Sequence, residues 1–326
     1  MGLYEQLLKI LAKEESVKRN EPLWKHTTLK IGGPADCLVT PASVSEIKKI
    51  IEVCRENKVP VFVMGRGSNI LAGDGGYRGV VIKFAGEFAD FYMEDVKNRD
   101  LAEMSENGDL TGDRGCMHVY ARAGISLSKL AVEAAKAGLT GLECESGIPG
   151  SLGGAIAMNA GAYGGEIKDF LDRVELLTPE LSVVERSKEE MEMGYRSSYV
   201  LKNPGTIVLG AHFTFPKGNR EEIYAKMEEL NQKRKEKQPL ELPSAGSTFK
   251  RPEGHFAGKL IEDSGLKGYR VGSIQVSEKH CGFVVNLGGG TAQEMRQLME
   301  NVDKTVFNKF GINLEPEVRM MGEFDE

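Results

Sequence analysis

Five short segments of this chain carry residue types that could do chemistry. The first is Gly65-Arg66-Gly67-Ser68-Asn69-Ile70, directly after the apolar run Val61–Met64. Small residues after a strand let backbone N–H groups turn inward on an anion, as phosphate-binding nests do. No Gly-Lys-Ser/Thr follows, which excludes a Walker A loop, and the third glycine of the dinucleotide GxGxxG pattern is missing. A tight strand-to-loop turn would use the same residues. The second segment is Gly147-Ile148-Pro149-Gly150-Ser151-Leu152-Gly153-Gly154, continuing through Asn159, Gly161 and Tyr163 to Gly164. Six glycines in 18 residues exceed what a connector needs. They suit a backbone pressed against a flat or phosphorylated ligand, with a glycine-rich structural turn as the alternative.

The third segment, Tyr195-Arg196-Ser197-Ser198-Tyr199, sets an arginine between tyrosines and serines. A planar guanidinium fork suits a carboxylate, although a lone Arg is more often a solvated surface group. The fourth runs from Gln238 to Pro252 and contains Ala245-Gly246-Ser247-Thr248-Phe249-Lys250-Arg251. It is not the nucleophile elbow G-x-S-x-G, and no His–Asp pair stands ready to activate Ser247. A hydrogen-bonding or proton-donating serine at the start of a strand fits better. Arg234, Lys235, Lys237, Lys250 and Arg251 bracket it, either as a solvated face or as an anion site. The fifth, Leu314-Glu315-Pro316-Glu317-Val318-Arg319, alternates acid and base, so Glu317 and Arg319 would share one side of a strand. By itself that pair reads as a surface ion pair.

The elements that must hold these residues follow from periodicity and caps. Leu3, Leu7, Leu8 and Leu11 predict an amphipathic helix over residues 1–20. Strands are predicted at 37–40, 61–64, 80–82 and 118–123. The Ser43–Glu46 capping box opens a helix whose face is Val44, Ile47, Ile51 and Cys54, ending before Pro60. A second helix spans 126–137, stopped at Gly138. The acidic stretch 87–117 reads as hairpins or a surface excursion. A hairpin is predicted at 174–177 and 183–184, a short helix after the Ser187–Glu190 box, and strands at 207–209 and 212–215. Past a boundary near 216–220 comes a charged helix, 219–236. Then the pattern is strand 247–250, helix 256–263, strands 271–276 and 282–287, helix 291–309 and strand 312–320, a βαββαβ unit.

Composition bounds the function. There are 39 glycines among 326 residues, about 12% against a typical ~7%. The net charge of −6 argues against a dedicated nucleic-acid binder. No apolar run approaches the roughly 18–20 residues of a membrane span. The N-terminal residues lack the basic and apolar regions of a secretory leader. Five cysteines form no CxxC, and their odd number fits a reducing cytosol rather than a disulfide framework. The five histidines are scattered with no metal-ligand spacing, so no metal is expected.

In this order these segments resemble the UDP-N-acetylenolpyruvoylglucosamine reductase (MurB) family. The resemblance is collinear from about Trp24 to Met321. It rests on Trp24–Asp36, Gly65–Asn69, Gly147–Ala155 with Asn159–Gly164, Tyr195–Ser198, Ala245–Pro252 and Glu317–Arg319. It implies an α+β chain: an FAD-binding fold of the vanillyl-alcohol-oxidase type in two subdomains, 1–84 and 85–216, plus a βαββαβ substrate domain, 217–326. The last strand of that domain would return to the active site. The implied reaction reduces an enolpyruvyl ether to a lactyl ether during peptidoglycan precursor synthesis, with NADPH as donor and non-covalent FAD as carrier. Ser247 would supply the proton, and Arg196 and Glu317 would stabilise the enol-like intermediate. Gly65, Arg66, Gly67, Ser68, Asn69 and Ile70 would hold FAD, as would Gly124, Gly147, Ile148, Pro149, Gly150, Ser151, Gly153, Gly154, Asn159 and Gly161. Arg234, Lys237, Arg251, Lys267 and His280 would bind the diphosphates of substrate and NADPH. A cytoplasmic monomer is expected, acting on small molecules and binding neither nucleic acid nor membrane.

Two features depart from the family pattern. Residues 87–117 are longer and more acidic, and no tyrosine-bearing loop has room before Ser247, which marks the short type. Two rival readings exist. One is a flavin oxidase with covalently attached FAD, for which Cys144 upstream of the second glycine segment would be the candidate. The other is a non-catalytic nucleotide-sugar or flavin-binding protein. Retention of Arg196, Ser247 and Glu317 together favours the reductase.

Overall fold

A computed structural model of the chain describes residues 2–11, 13–95 and 115–324. In chain order the elements are α1 (Leu3–Ile10), β1 (Val17–Pro22), β2 (Pro34–Val39), α2 (Val44–Glu56), β3 (Val61–Met64), β4 (Ile70–Ala72), β5 (Tyr77–Lys83), β6 (Phe91–Asp95) and β7 (Cys116–Arg122). Next come α3 (Leu127–Lys136), α4 (Leu152–Met158), β8 (Gly161–Ala162), β9 (Gly165–Glu166), β10 (Leu171–Leu177), β11 (Val183–Ser187), α5 (Tyr199–Lys202), β12 (Ile207–Pro216) and α6 (Arg220–Lys237). The chain closes with β13 (Ser244–Ser247), α7 (Ala257–Asp263), β14 (Arg270–Val271), β15 (Ile274–Val276), β16 (Phe283–Asn286), α8 (Ala292–Phe310) and β17 (Arg319–Met321). The contacts divide it into two units: Met1–Thr40 with Lys49–Ile82 and Arg234–Glu326, and Pro41–Lys48 with Lys83–Lys233.

The first unit holds the sheet β1-β2-β5-β3 and the antiparallel sheet β13-β16-β15-β14. The latter is covered by α8, which buries Met295, Leu298, Met299, Val302 and Val306, the spacing of one helical face. The start of α8 is doubly satisfied. Thr291 and Glu294 form a reciprocal capping box. The Asp74 carboxylate also accepts from the N–H groups of Ala292 (2.9 Å) and Gln293 (3.1 Å), placing negative charge at the positive helix end. The chain then returns: β17 lies parallel to β4, with Arg319 opposite Ile70 and Met321 opposite Ala72.

The second unit is built on the antiparallel sheet β11-β10-β12-β7-β6. Its middle strand β12 is buried from Ile207 to Phe215 on both faces, and it takes the polar His212 and Thr214 inside along with its apolar residues. Ser126 caps α3 by accepting from the Lys129 N–H (3.2 Å), and Gly138 follows the helix in the left-handed region.

Several sequence expectations are corrected. The predicted helix over 1–20 is only α1, and residues 17–22 form a strand instead. The Ser187–Glu190 box is formed, with Glu190 N–H on Ser187 Oγ and Ser187 N–H on Glu190 Oε2, but it closes a turn and no helix follows. The two strands at 207–209 and 212–215 are one. Strand 271–276 is the hairpin β14–β15. Strand 312–320 shrinks to β17, and strand 247–250 lies earlier, at 244–247. The expected hairpins over 87–117 are seen only as β6 pairing with β7; residues 96–114 lie outside the described residues.

Removing the acid that caps α8 tests this account of the first unit. Asp74→Ala is expected to lower the unfolding free energy by about 1–2 kcal/mol, read by urea titration. A change within about 0.5 kcal/mol would show that the Thr291–Glu294 box suffices alone.

Candidate active site

In the first unit the residues of three sequence segments meet through backbone bonds. The loop after β3 turns at Gly67, where φ is +66° and an added Cβ would lie 2.2 Å from the His26 carbonyl oxygen. That glycine is therefore required by the chain's own close approach. Thr28 clasps the loop: its N–H donates to Gly67 O (3.1 Å) and its Oγ1 donates to Ser244 O (2.7 Å) at the start of β13. Asn69 binds the returning C-terminal segment at two points. Its carbonyl accepts from Arg319 N–H (3.0 Å), and its Nδ2 donates to Glu317 O (3.1 Å). Glu317 N–H in turn donates to Thr248 O (2.8 Å), and Lys250 N–H to Glu315 O (2.8 Å). Ser247 and Glu317 are thus carried on two backbone segments bonded side by side, and both are half-buried.

Ser247 ends β13 rather than beginning a strand. The register against β16 shifts between Ser244 and Ser247, an irregularity that re-aims the chain there. The preceding Gly246 has φ +76°, and an added Cβ would meet nothing within 4 Å. The space beside the Gly246 backbone is therefore open.

The candidate diphosphate binders occupy the same unit. Arg234 and Lys237 stand three residues apart in the last turn of α6, Arg234 buried and Lys237 exposed. Lys237 is close enough to act on His280, whose pKa is held below the usual imidazole value, first by desolvation of the ring and then by that cation. Gly282 N–H donates to His280 Nδ1 (3.0 Å), so the proton of the neutral ring belongs on Nε2. Lys267 lies 4.0 Å from Glu262, and Arg251 stacks over Phe256 at 4.7 Å from the ring centroid.

In the second unit the glycine-rich segment pairs with the turn after β7. Leu152 N–H donates to Ile125 O (2.9 Å), Gly153 N–H to Ala123 O (2.8 Å), and Leu127 N–H to Gly150 O (3.0 Å). This brings Gly124 beside Gly150–Gly154. Not every glycine here faces outward: a Cβ on Gly161 would sit 2.3 Å from Gly165 O, and one on Gly153 3.0 Å from Ala123 Cβ. Gly154 differs, since a Cβ there would meet only Ser151 Oγ, at 3.8 Å. The Gly154 backbone borders open space that a side chain would otherwise fill, as a flat cofactor pressed against it requires. A small residue bordering open space fits FAD, whose flat ring needs close approach to the backbone.

Arg196 sits at the tip of a tight turn in this unit, half-buried, with φ +51°. The Asn159 amide, placed among the cofactor residues from sequence, is spent inside the chain on Gly194, Glu166 and the Lys168 N–H. Sequence reasoning missed Thr28, which lies inside the Trp24–Asp36 block but carries no chemical signal of its own. It also missed Glu166, whose role depends on a partner seven residues away.

Family models match two stretches of the chain. The FAD binding domain matches residues 35–186, and the C-terminal domain of UDP-N-acetylenolpyruvoylglucosamine reductase matches 238–321. The UDP-N-acetylenolpyruvoylglucosamine reductase of Lachnoclostridium phytofermentans is 50% identical over 318 residues, 98% of this chain and 97% of that protein. That of Clostridium novyi is 47% identical over 326 residues, 100% of this chain and 98% of its own. Among solved structures, UDP-N-acetylenolpyruvylglucosamine reductase from Thermus caldophilus is similar with a TM-score of 0.74 at 35% identity, covering 94% of this chain and 98% of that one.

Asn69→Ala leaves the Glu317 carbonyl without its side-chain donor. The expected result is a loss of about 1–2 kcal/mol in unfolding free energy, with faster amide exchange confined to 315–321. Unchanged exchange in that segment would show that the β4–β17 pairing holds Glu317 unaided.

Proposed function

The chain belongs to the UDP-N-acetylenolpyruvoylglucosamine reductase family, and we propose how its own residues carry out that family's reaction. It is an FAD-dependent oxidoreductase of peptidoglycan precursor synthesis that uses NADPH. Its membership removes the covalent oxidase and the non-catalytic binder from consideration. The finer assignments below are our reading of the residues.

When bound, FAD would supply the hydride chemistry that couples NADPH to reduction of the enolpyruvyl ether. Gly65 to Ile70, Gly124 and Gly147 to Gly154 would hold it. The open backbone at Gly154 supports that assignment. Ser247 gives a proton to the carbon next to the carboxylate, which completes reduction of the double bond. Arg196 pairs with the carboxylate oxygens, where negative charge builds before that proton arrives. Glu317 hydrogen-bonds to the same developing enol. Arg234, Lys237, Lys267, Arg251 and His280 bind diphosphate. The observation that carries this reading is the Glu317 N–H to Thr248 O bond. It sets the proposed proton donor and one of the two proposed enol stabilisers on adjoining segments beside the open face of Gly246.

Residues 1–84 and 85–216 are read as the two FAD subdomains and 217–326 as the substrate domain. The family matches at 35–186 and 238–321 support the division between cofactor and substrate parts. The short type is also proposed, because only residues 238–243 separate the end of α6 from β13. Among the described residues no helix is long and apolar enough to cross a membrane. No disulfide joins the described cysteines, and burial pushes the Cys54 thiol up to about 12. An odd number of cysteines, four of them buried, supports a place in the reducing cytoplasm.

Ser247→Ala separates the two halves of the reaction. Under anaerobic conditions NADPH should bleach the flavin band at the wild-type rate. Return of the band on adding the enolpyruvyl nucleotide sugar should slow by roughly 100-fold or more. Equal slowing of both halves would remove Ser247 from the proton-donor role, and a wild-type return would assign the proton to another group.

A further inference from the structure

We propose that Asn159 is the positioning residue for Arg196, setting the turn from which that arginine reaches the substrate. The role rests on Arg196 acting on the carboxylate as proposed above.

Arg196 is held in an unfavourable conformation. Residues 194–197 form a tight turn in which Gly194 N–H donates to Ser197 O (3.0 Å) and Ser197 N–H to Gly194 O (3.2 Å). Arg196, at the third position, has φ +51°. That position in such a turn ordinarily belongs to glycine or asparagine. A non-glycine residue there is strained and persists only where the surroundings over-determine it.

The surroundings are two stitches to the end of α4. Ser198, fully buried, donates from Oγ to Ala157 O (2.8 Å). Asn159, also fully buried, donates from Nδ2 to Gly194 O (3.1 Å), the carbonyl that closes the turn. The amide of Asn159 is fixed in turn. Its Nδ2 also donates to Glu166 Oε2 (3.0 Å), and its Oδ1 accepts from Lys168 N–H (3.4 Å). Gly194 O and the Glu166 carboxylate only accept and Lys168 N–H only donates, so the three partners leave one orientation for the amide.

Glu166 is kept ionised for this task. Hydrogen bonds from Lys168, at 2.7 Å, and from Asn159 lower its pKa, and the Arg196 charge lowers it further. The same carboxylate thus orients Asn159 and attracts the guanidinium on the turn that Asn159 holds. Asparagine suits the position for two reasons. Its backbone is itself left-handed, φ 43° and ψ 59°, at the C-cap of α4, a conformation asparagine tolerates. It also offers two N–H donors from one planar group, which neither glycine nor aspartate can.

The test uses the holoenzyme with Asn159→Gly, which keeps the backbone conformation and removes the amide, alongside Arg196→Ala and the double variant. Asn159→Gly is expected to keep its FAD and bleach normally with NADPH. Flavin return with the enolpyruvyl nucleotide sugar should slow about 10- to 100-fold, in kcat more than in KM. The double variant should be no slower than Arg196→Ala, and amide exchange at Ser197 should quicken in flavin-free Asn159→Gly. Asn159→Asp, similar in size but without donors, should reproduce the kinetic loss. Wild-type return in Asn159→Gly beside slow return in Arg196→Ala would overturn the positioning role and leave Arg196 in place. Wild-type return in Arg196→Ala would remove the arginine's role and this proposal with it. Loss of FAD from both Asn159 variants would make Asn159 a cofactor ligand instead.

Discussion

The first unit depends on the return of the C-terminal segment to the loop after β3. Two bonds made by one residue fix it: Asn69 takes the Arg319 N–H on its carbonyl and gives its side-chain N–H to the Glu317 carbonyl. Because Glu317 also donates to Thr248 O, a single crossing orders the glycine loop, the β13 end and the acidic segment. The rest of the unit stabilises that crossing. Leu71, on β4, belongs to the apolar cluster formed with α7 and α8, and Ala72 and Met321 to the cluster beneath the first sheet. Asp74, two residues past β4, caps α8. The strand that follows the glycine loop is therefore packed and hydrogen-bonded along its whole length, which is the rigidity a site built on a loop needs.

The second unit meets the same need differently. Its arginine is presented from a strained turn rather than from a strand end, and buried polar side chains hold the turn. A polar network of this kind is useful only when every member is satisfied. Asn159, Glu166, Lys168 and Ser198 use their groups on one another and on backbone, which makes the turn a defined platform.

Much of this was legible in the sequence where local chemistry decides structure. The capping boxes at Ser187 and Thr291 form, Ser43 caps its helix by accepting from the Glu46 N–H while Glu46 reaches the Ala42 N–H instead, and Ser126 to Gly138 brackets a helix as expected. What failed was set by tertiary pairing. Val17–Pro22 is polar and solvent-facing at a sheet edge, so no hydrophobic period marks it, yet backbone pairing to β2 makes it a strand. The segment before Arg319 bonds at separate points to Thr248 and Lys250, but Pro316 has no N–H to continue a ladder. The Ser187 box closes a turn because no apolar run follows to bury a helix face. At the site, the motif segments were visible and their joining was not. A glycine count could not tell Gly161, pressed on Gly165, from Gly154, which borders open space. Nor could it show that Asn159 serves the arginine segment 37 residues on.

The central claim is that the C-terminal return makes Ser247 and Glu317 one working pair. A double-mutant cycle on flavin return measures this directly, using Ser247→Ala, Glu317→Gln and both together in anaerobic single-turnover reactions with the enolpyruvyl nucleotide sugar. The account predicts strong non-additivity, with the double variant about as slow as the slower single variant. Losses that simply multiply would mean the two residues act independently and would contradict it.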